Sequence, residues 1–196
     1  MNYDDIVIIR KANGKDLHYA KTIVDEMESS AKARGTGIAK RSPEYIGEIM
    51  NQQRGIIAVT GSGEWVGFIY MDIWSNGQFV SHSGLIVAPK WRKRGIATAM
   101  KERIFGLSRL LYPNAKVFGI TTTLATMKIN SKLGMKPVTF SEIVQEEEFW
   151  AKCKSCIHYT DLKNAGFKNC FCTAMLYDPI DNEKQNEPVR LDIASY

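Results

Sequence analysis

The stretch Leu85-Ile86-Val87-Ala88-Pro89-Lys90-Trp91-Arg92-Lys93-Arg94-Gly95-Ile96-Ala97 runs from an apolar strand, through a basic turn, into a helix. Pro89 ends the strand pattern. From Ile96 the apolar residues recur at Met100, Ile104, Leu107 and Leu111, the spacing of one helix face. The turn between them is an anion site on physical grounds. The first N–H groups of a helix lack intrahelical acceptors, and the helix dipole adds partial positive charge there. Gly95 lets the backbone approach a ligand closely, and Ala97 keeps the next position small. A pyrophosphate suits such a place, with Arg92, Lys93 and Arg94 around it. Taken alone, a basic turn also fits a solvated helix start.

Outward from this stretch, strand and helix patterns alternate over the first 140 residues, which predicts an α/β or α+β domain. Ile6 to Arg10 reads as a first strand. Asp16 reads as a cap for a helix with Leu17, Ala20, Val24, Met27 and Ala31 on one face. Ser42-Pro43 predicts a second helix to about Gln52. Strands over Gly55 to Thr60, Trp65 to Trp74 and Gln78 to Ala88 follow without helices between them. Lys116 to Thr121 predicts another strand, Ala125 to Leu133 a short helix with Gly134 after it, Ser141 to Ala151 an acidic helix, and Phe171 to Tyr177 a last strand.

Arg92-x-x-Gly95-x-Ala97, with the apolar strand and Pro89 before it, resembles the Arg/Gln-x-x-Gly-x-Gly/Ala motif of the GNAT superfamily of acyl-CoA N-acyltransferases. The element order from Ile6 to about Val138 is similar as well. The resemblance implies a central mixed, mostly antiparallel sheet flanked by helices. The resemblance covers a core over residues 1–140; beyond it the residue pattern reads as a cysteine-rich extension over 141–178 completing the sheet and a polar tail over 179–196. The resemblance implies acetyl-CoA or another acyl-CoA as donor, its pyrophosphate held by Arg92 and the backbones of Lys93, Arg94, Gly95, Ile96 and Ala97. Its pantetheine arm would lie along Leu85, Ile86 and Val87, with the Val87 N–H polarising the thioester carbonyl. Where such enzymes often carry Asn-x-x-Ala-x-x-x-Tyr-x-Lys-x-Gly-Phe, this chain has Thr123, Thr126, Asn130, Lys132, Gly134 and Met135. Thr123 and Lys132 are thereby cofactor-binding candidates, Thr123 reading equally as a helix cap. Asn130 replaces the tyrosine that commonly protonates the leaving thiolate. An amide donates a hydrogen bond but yields no proton at neutral pH, so water or another acid must serve.

An amine attacks a thioester only when neutral, so a base helps. His82, five residues before Val87, is the candidate, with Asp72 and Ser83 behind it; the alternative is a hydrogen-bonded strand histidine. The loop with Arg34, Lys40 and Arg41 points to an acidic acceptor, since guanidinium groups grip carboxylates; a solvated charge cluster is the alternative. This loop also resembles that of bacterial GNAT proteins linked to arginine biosynthesis, which implies glutamate or another acidic amino acid as acceptor.

Cys153-x-x-Cys156 and Cys170-x-Cys172 hold all four cysteines of the chain. Two close thiol pairs suit tetrahedral zinc; buried free thiols and a redox pair are the alternatives. The net charge of +5 fits a phosphate-rich ligand or nucleic acid alike. The acidic run Glu146-Glu147-Glu148 beside the cysteines opposes nucleic acid. The first thirty residues show no signal-peptide pattern, and no apolar stretch approaches a membrane span. The expectation is a cytoplasmic monomer or homodimer acting on a small-molecule amine, with no nucleic-acid or membrane partner. A zinc-containing nucleic-acid module and a non-catalytic acyl-CoA sensor are the rival readings.

Overall fold

The computed structural model describes residues 6–36, 39–168 and 170–181. Its sheet has strands β1 (Val7–Lys11), β2 (Gly55–Thr60), β3 (Trp65–Trp74), β4 (Phe79–Val87), β5 (Lys116–Thr121), β6 (Lys136–Val138) and β7 (Thr173–Tyr177). The order is β1-β2-β3-β4-β5-β7-β6. β4 and β5 run parallel, and every other neighbouring pair is antiparallel. This is the mixed, mostly antiparallel sheet that the resemblance implies. The helices are α1 (Ala20–Ala33), α2 (Pro43–Asn51), α3 (Ile96–Leu111), α4 (Leu124–Lys132), α5 (Glu147–Ala151) and α6 (Tyr159–Asn164). None of them is long and apolar enough to cross a membrane, among the described residues.

Side chains alternate across a strand, so the sheet has two apolar faces. Ile23, Met27, Ile49, Phe68, Tyr70 and Ile86 form one cluster under α1 and α2. Ile69, Met71, Val80, Val87, Met100 and Ile104 form the other under α3. Trp74, Phe118, Trp150, Leu162 and Leu176 join the segment after β6 to the sheet. β7 from that segment lies between β5 and β6, so the last described strand is internal to the sheet.

Several boundaries differ from the sequence reading. Asn13, not Asp16, caps the first helical segment, a 3-10 turn over Gly14–Tyr19 that leads into α1; Asp16 closes the capping box and pairs with Arg10 at 2.7 Å. The acidic helix is shorter, because Phe140–Glu142 forms a separate 3-10 turn before α5. β6 was not foreseen: it is three residues long, and its Pro137 sits on the sheet's edge strand, where a missing N–H is tolerated. Of the tail expected over 179–196, residues 182–196 lie outside the described residues.

Candidate active site

β4 pairs with β5 only through Phe79–Lys116, Val80–Val117 and Ser81–Phe118. Beyond Ser81 the strands part, β4 running on to Val87 and β5 to Thr121 against β7. A bulge accompanies the parting. Phe68 pairs with Ile86 and Tyr70 with Ser83, so β4 holds one extra residue at Gly84–Leu85, and such a bulge bends its strand. Gly84 sits at φ +65°, and a Cβ there would lie 2.5 Å from the Tyr70 ring. Only glycine meets both demands.

The bulge leaves backbone groups facing an open gap. The Ala88 N–H donates to Val66 O at 2.9 Å, on the β3 side. Neighbouring N–H groups along a strand point oppositely, so the Val87 N–H faces the gap. The Val87 carbonyl accepts a hydrogen bond from Arg92 Nε at 3.0 Å. Gly95 heads α3 at φ +78° with no side-chain cap, and Lys93 is also left-handed at φ +62°. The helix thus presents bare N–H groups at the end of the gap. Arg92, Lys93, Arg94 and Gly95 are exposed, Ile96 is buried and Ala97 half-buried. The Arg92 guanidinium binds Glu26 at 2.9 Å and Ser30 at 2.6 Å, tying the turn to α1, and Arg94 lies over the Trp91 ring.

A cavity of about 260 Å³ opens where the strands part. On the α1/α2 face it is bounded by Arg34, Arg41, Asp72, Trp74 and Lys152. Asp72 is buried and fully partnered. It accepts from Tyr45 Oη at 2.7 Å, Arg54 at 3.1 Å and Lys152 Nζ at 2.9 Å. Lys152 also lies 4.5 Å from the Trp74 ring centre. Arg41 donates to Tyr70 Oη at 2.8 Å and to the Ala39 carbonyl. Burial, then the neighbouring Tyr70 and Asp72, push the Tyr45 phenol far up. Lys40 is exposed and does not border the cavity; its backbone N–H donates to Ser155.

On the α3 face the arrangement is different. His82 is buried with Nε2 2.8 Å from Ser108 Oγ, and Nδ1 has no partner among the described residues. Burial, then the charge of Lys101, holds its imidazole well below the ordinary value. Its side chain therefore lies with α3, whereas Ser81 and Ser83, paired with Asp72 and Tyr70, share the acceptor-side face. Lys101 is 2% exposed and borders the same cavity. Asn130 is buried, donates weakly to Met175 Sδ at 3.7 Å, and its Oδ1 has no partner among the described residues. Thr123 borders the cavity and its hydroxyl donates to Thr126 at 2.8 Å without capping α4; Lys132 is exposed and away from the cavity.

The four cysteines are half-buried free thiols on one cavity wall. Burial, then Cys156 and Cys170, push Cys153 up to about 11; burial, then Cys170 and the other two thiols, push Cys172 up to about 12. Among the described residues no three His, Cys, Asp or Glu side chains are grouped so as to hold a metal ion. The thiols share one wall, and their grouping does not by itself give the tetrahedral zinc set that their spacing predicts.

Sequence reasoning missed Tyr45, Lys152 and Lys101. Lys101 carried a signal: Ala97, Lys101, Ile104 and Ser108 fall at helical spacing beside the apolar stripe of α3.

The fold is shared with solved acetyltransferase structures, among them one of the GNAT family from Staphylococcus aureus and a GNAT-superfamily phosphinothricin acetyltransferase from Sinorhizobium meliloti. No protein-family model matches the chain, and no curated protein does. One neighbour is N-acetylglutamate synthase from Neisseria gonorrhoeae, complexed with coenzyme A and N-acetyl-glutamate. It is 15% identical, with a TM-score of 0.62 over 88% of this chain and 35% of that one. The chain thus spans about a third of that synthase. Rv2747 from Mycobacterium tuberculosis, in complex with CoA and NLQ, is 19% identical with a TM-score of 0.61, covering 87% of this chain and 98% of the other. Diaminobutyrate acetyltransferase EctA from Paenibacillus lautus, with L-2,4-diaminobutyric acid and coenzyme A, is 13% identical with a TM-score of 0.59 over 89% and 95%.

Proposed function

We propose that the protein is an N-acyltransferase moving an acetyl group, or a succinyl group, from acyl-CoA to the primary amine of a small acceptor. The observation that carries this reading is the gap between β4 and β5, which leaves the Val87 N–H bare and ends at the uncapped start of α3. Pantetheine would add to the free edge of β4 as a strand does. Pyrophosphate would sit on the N–H groups after Lys93. The Val87 N–H would stabilise the oxyanion formed when the amine attacks the thioester carbon.

Arg34 and Arg41 at the cavity support an acidic amino acid, glutamate first, as acceptor. Neighbours of the same fold carry N-acetyl-glutamate or diaminobutyric acid. In this proposal His82 acts as the polar neighbour of Lys101, since its ring lies on the α3 face, and the amine sheds its proton to water past Ser81 and Ser83. Asn130 donates a hydrogen bond toward the sulfur. Zinc bound by Cys153, Cys156, Cys170 and Cys172 is a separate proposal, supported by spacing and by the shared wall; metal content near one zinc per chain is its test, and a metal-free folded chain refutes it. The protein acts as a cytoplasmic monomer or homodimer without nucleic-acid or membrane partners.

The test is an acceptor screen following free thiol with acetyl-CoA and succinyl-CoA in parallel. Turnover with glutamate or another acidic amino acid is expected. Coenzyme A binding without turnover on any amine would replace the enzyme reading with that of an acyl-CoA sensor.

A further inference from the structure

The α3 wall of the gap holds an ammonium that no described residue pairs. Lys101 is 2% exposed and has no hydrogen bond or ion pair among the described residues. Its Nζ stands 3.9 Å from the point where a Cβ on Gly119 would be, and Asn130 Nδ2 is also 3.9 Å from that point. Gly119, by lacking a side chain, makes the room into which both project. The same cavity is bordered by Ser83, Gly84 and Leu85 of β4. An unpaired buried ammonium is costly, so one retained beside a ligand gap invites a ligand that pairs it.

We propose that Lys101 Nζ is the proton donor to the coenzyme A sulfur, reaching from α3 the atom that Asn130 can only hydrogen-bond. The inference rests on the acyl-CoA reading of the gap. The acceptor nitrogen bonds to the thioester carbon, and the carbon–sulfur bond breaks with its electron pair left on sulfur. Lys101 gives that sulfur a proton and becomes a neutral amine. The proton lost by the acceptor nitrogen goes to water, and solvent returns one to Lys101. The sum is acyl-CoA plus amine giving amide plus free thiol. Of the groups facing Lys101, His82 on β4 titrates, while Gly119 on β5 and Asn130 on α4 carry no charge. Burial brings the Lys101 ammonium down to about 7, so both of its forms are populated near neutrality.

The test needs no known acceptor. The thiol of bound coenzyme A is titrated by its thiolate ultraviolet absorbance in wild type and in Lys101→Met, a variant of similar shape whose fold is checked by its melt. Wild type is expected to ionise the bound thiol at lower pH than free coenzyme A. Lys101→Met is expected to raise that midpoint by about one unit or more, a tenfold change in ionisation. With a working acceptor, the variant should lose about 100-fold in kcat with the donor KM little changed. Bound coenzyme A with the same titration in both proteins overturns the Lys101 role alone. Wild type that binds no coenzyme A overturns the acyl-CoA reading and this role together.

Discussion

Two sets of polar side chains meet the cavity from opposite faces of the sheet, and they are built on opposite rules. On the α1/α2 face Asp72 and Lys152 border the cavity and pair with each other, with Arg54 and Tyr45 behind them completing the set around Asp72. On the α3 face Lys101, 2% exposed, makes no hydrogen bond or ion pair among the described residues, and neither His82 Nδ1 nor Asn130 Oδ1 has a partner among them. The first set is complete without a ligand, so it shapes a wall. The second set is incomplete among the described residues, so a ligand entering the gap would recover its cost.

Removing a charge should therefore have opposite consequences on the two faces. The largest effect is expected for Asp72→Ala, which strands Lys152 and Arg54 beside Tyr45 and should destabilise by about 3 kcal/mol or more. Urea denaturation measures this, with coenzyme A affinity changed little; an unchanged midpoint would erase the contrast. Next comes Gly84→Ala, which forces a Cβ onto Tyr70 at a left-handed φ and should cost about 2 kcal/mol with loss of coenzyme A binding. Lys101→Met should be neutral or stabilise by about 1 kcal/mol, since it removes an unpaired buried charge.

The pH dependence sharpens the same point. Folded Lys101 loses its proton at about 7 against 10.5 when free. Between those values the unfolded chain binds the extra proton, so native stability should rise with pH across that window. Lys101→Met should abolish that part of the rise, which denaturation at pH 7 and pH 9.5 would show. The smallest effect concerns the cysteine wall. With Cys153 and Cys172 pushed up to about 11 and about 12, the metal-free protein should hold both as neutral thiols at pH 7.5 and alkylate them more slowly than free cysteine. Thiol-reagent kinetics on the native protein test this, and fast labelling at either would contradict it.

The sequence carries the β4–α3 turn plainly, because strand run, glycine and helical period are all local there. The Asp72 network is not legible, since its partners Tyr45 and Lys152 lie 27 and 80 residues away. His82 is the instructive case. Counting back from Ile86 by simple alternation puts residue 82 on the α1 face. The extra residue at Gly84–Leu85 reverses the parity and turns His82 toward α3. Gly84 was visible, but a lone glycine in a strand does not say whether the strand bulges. β6 escaped for a similar reason: three residues containing a proline show no period.

The gap itself is tested most directly at two neighbouring backbone amides. Val87 N–H faces the opening without a strand partner, whereas Ala88 N–H is already bonded to Val66. Residue-resolved hydrogen exchange with and without coenzyme A should show Val87 strongly slowed by the ligand and Ala88 little changed. Coenzyme A that binds and leaves Val87 exchanging as before would contradict the account.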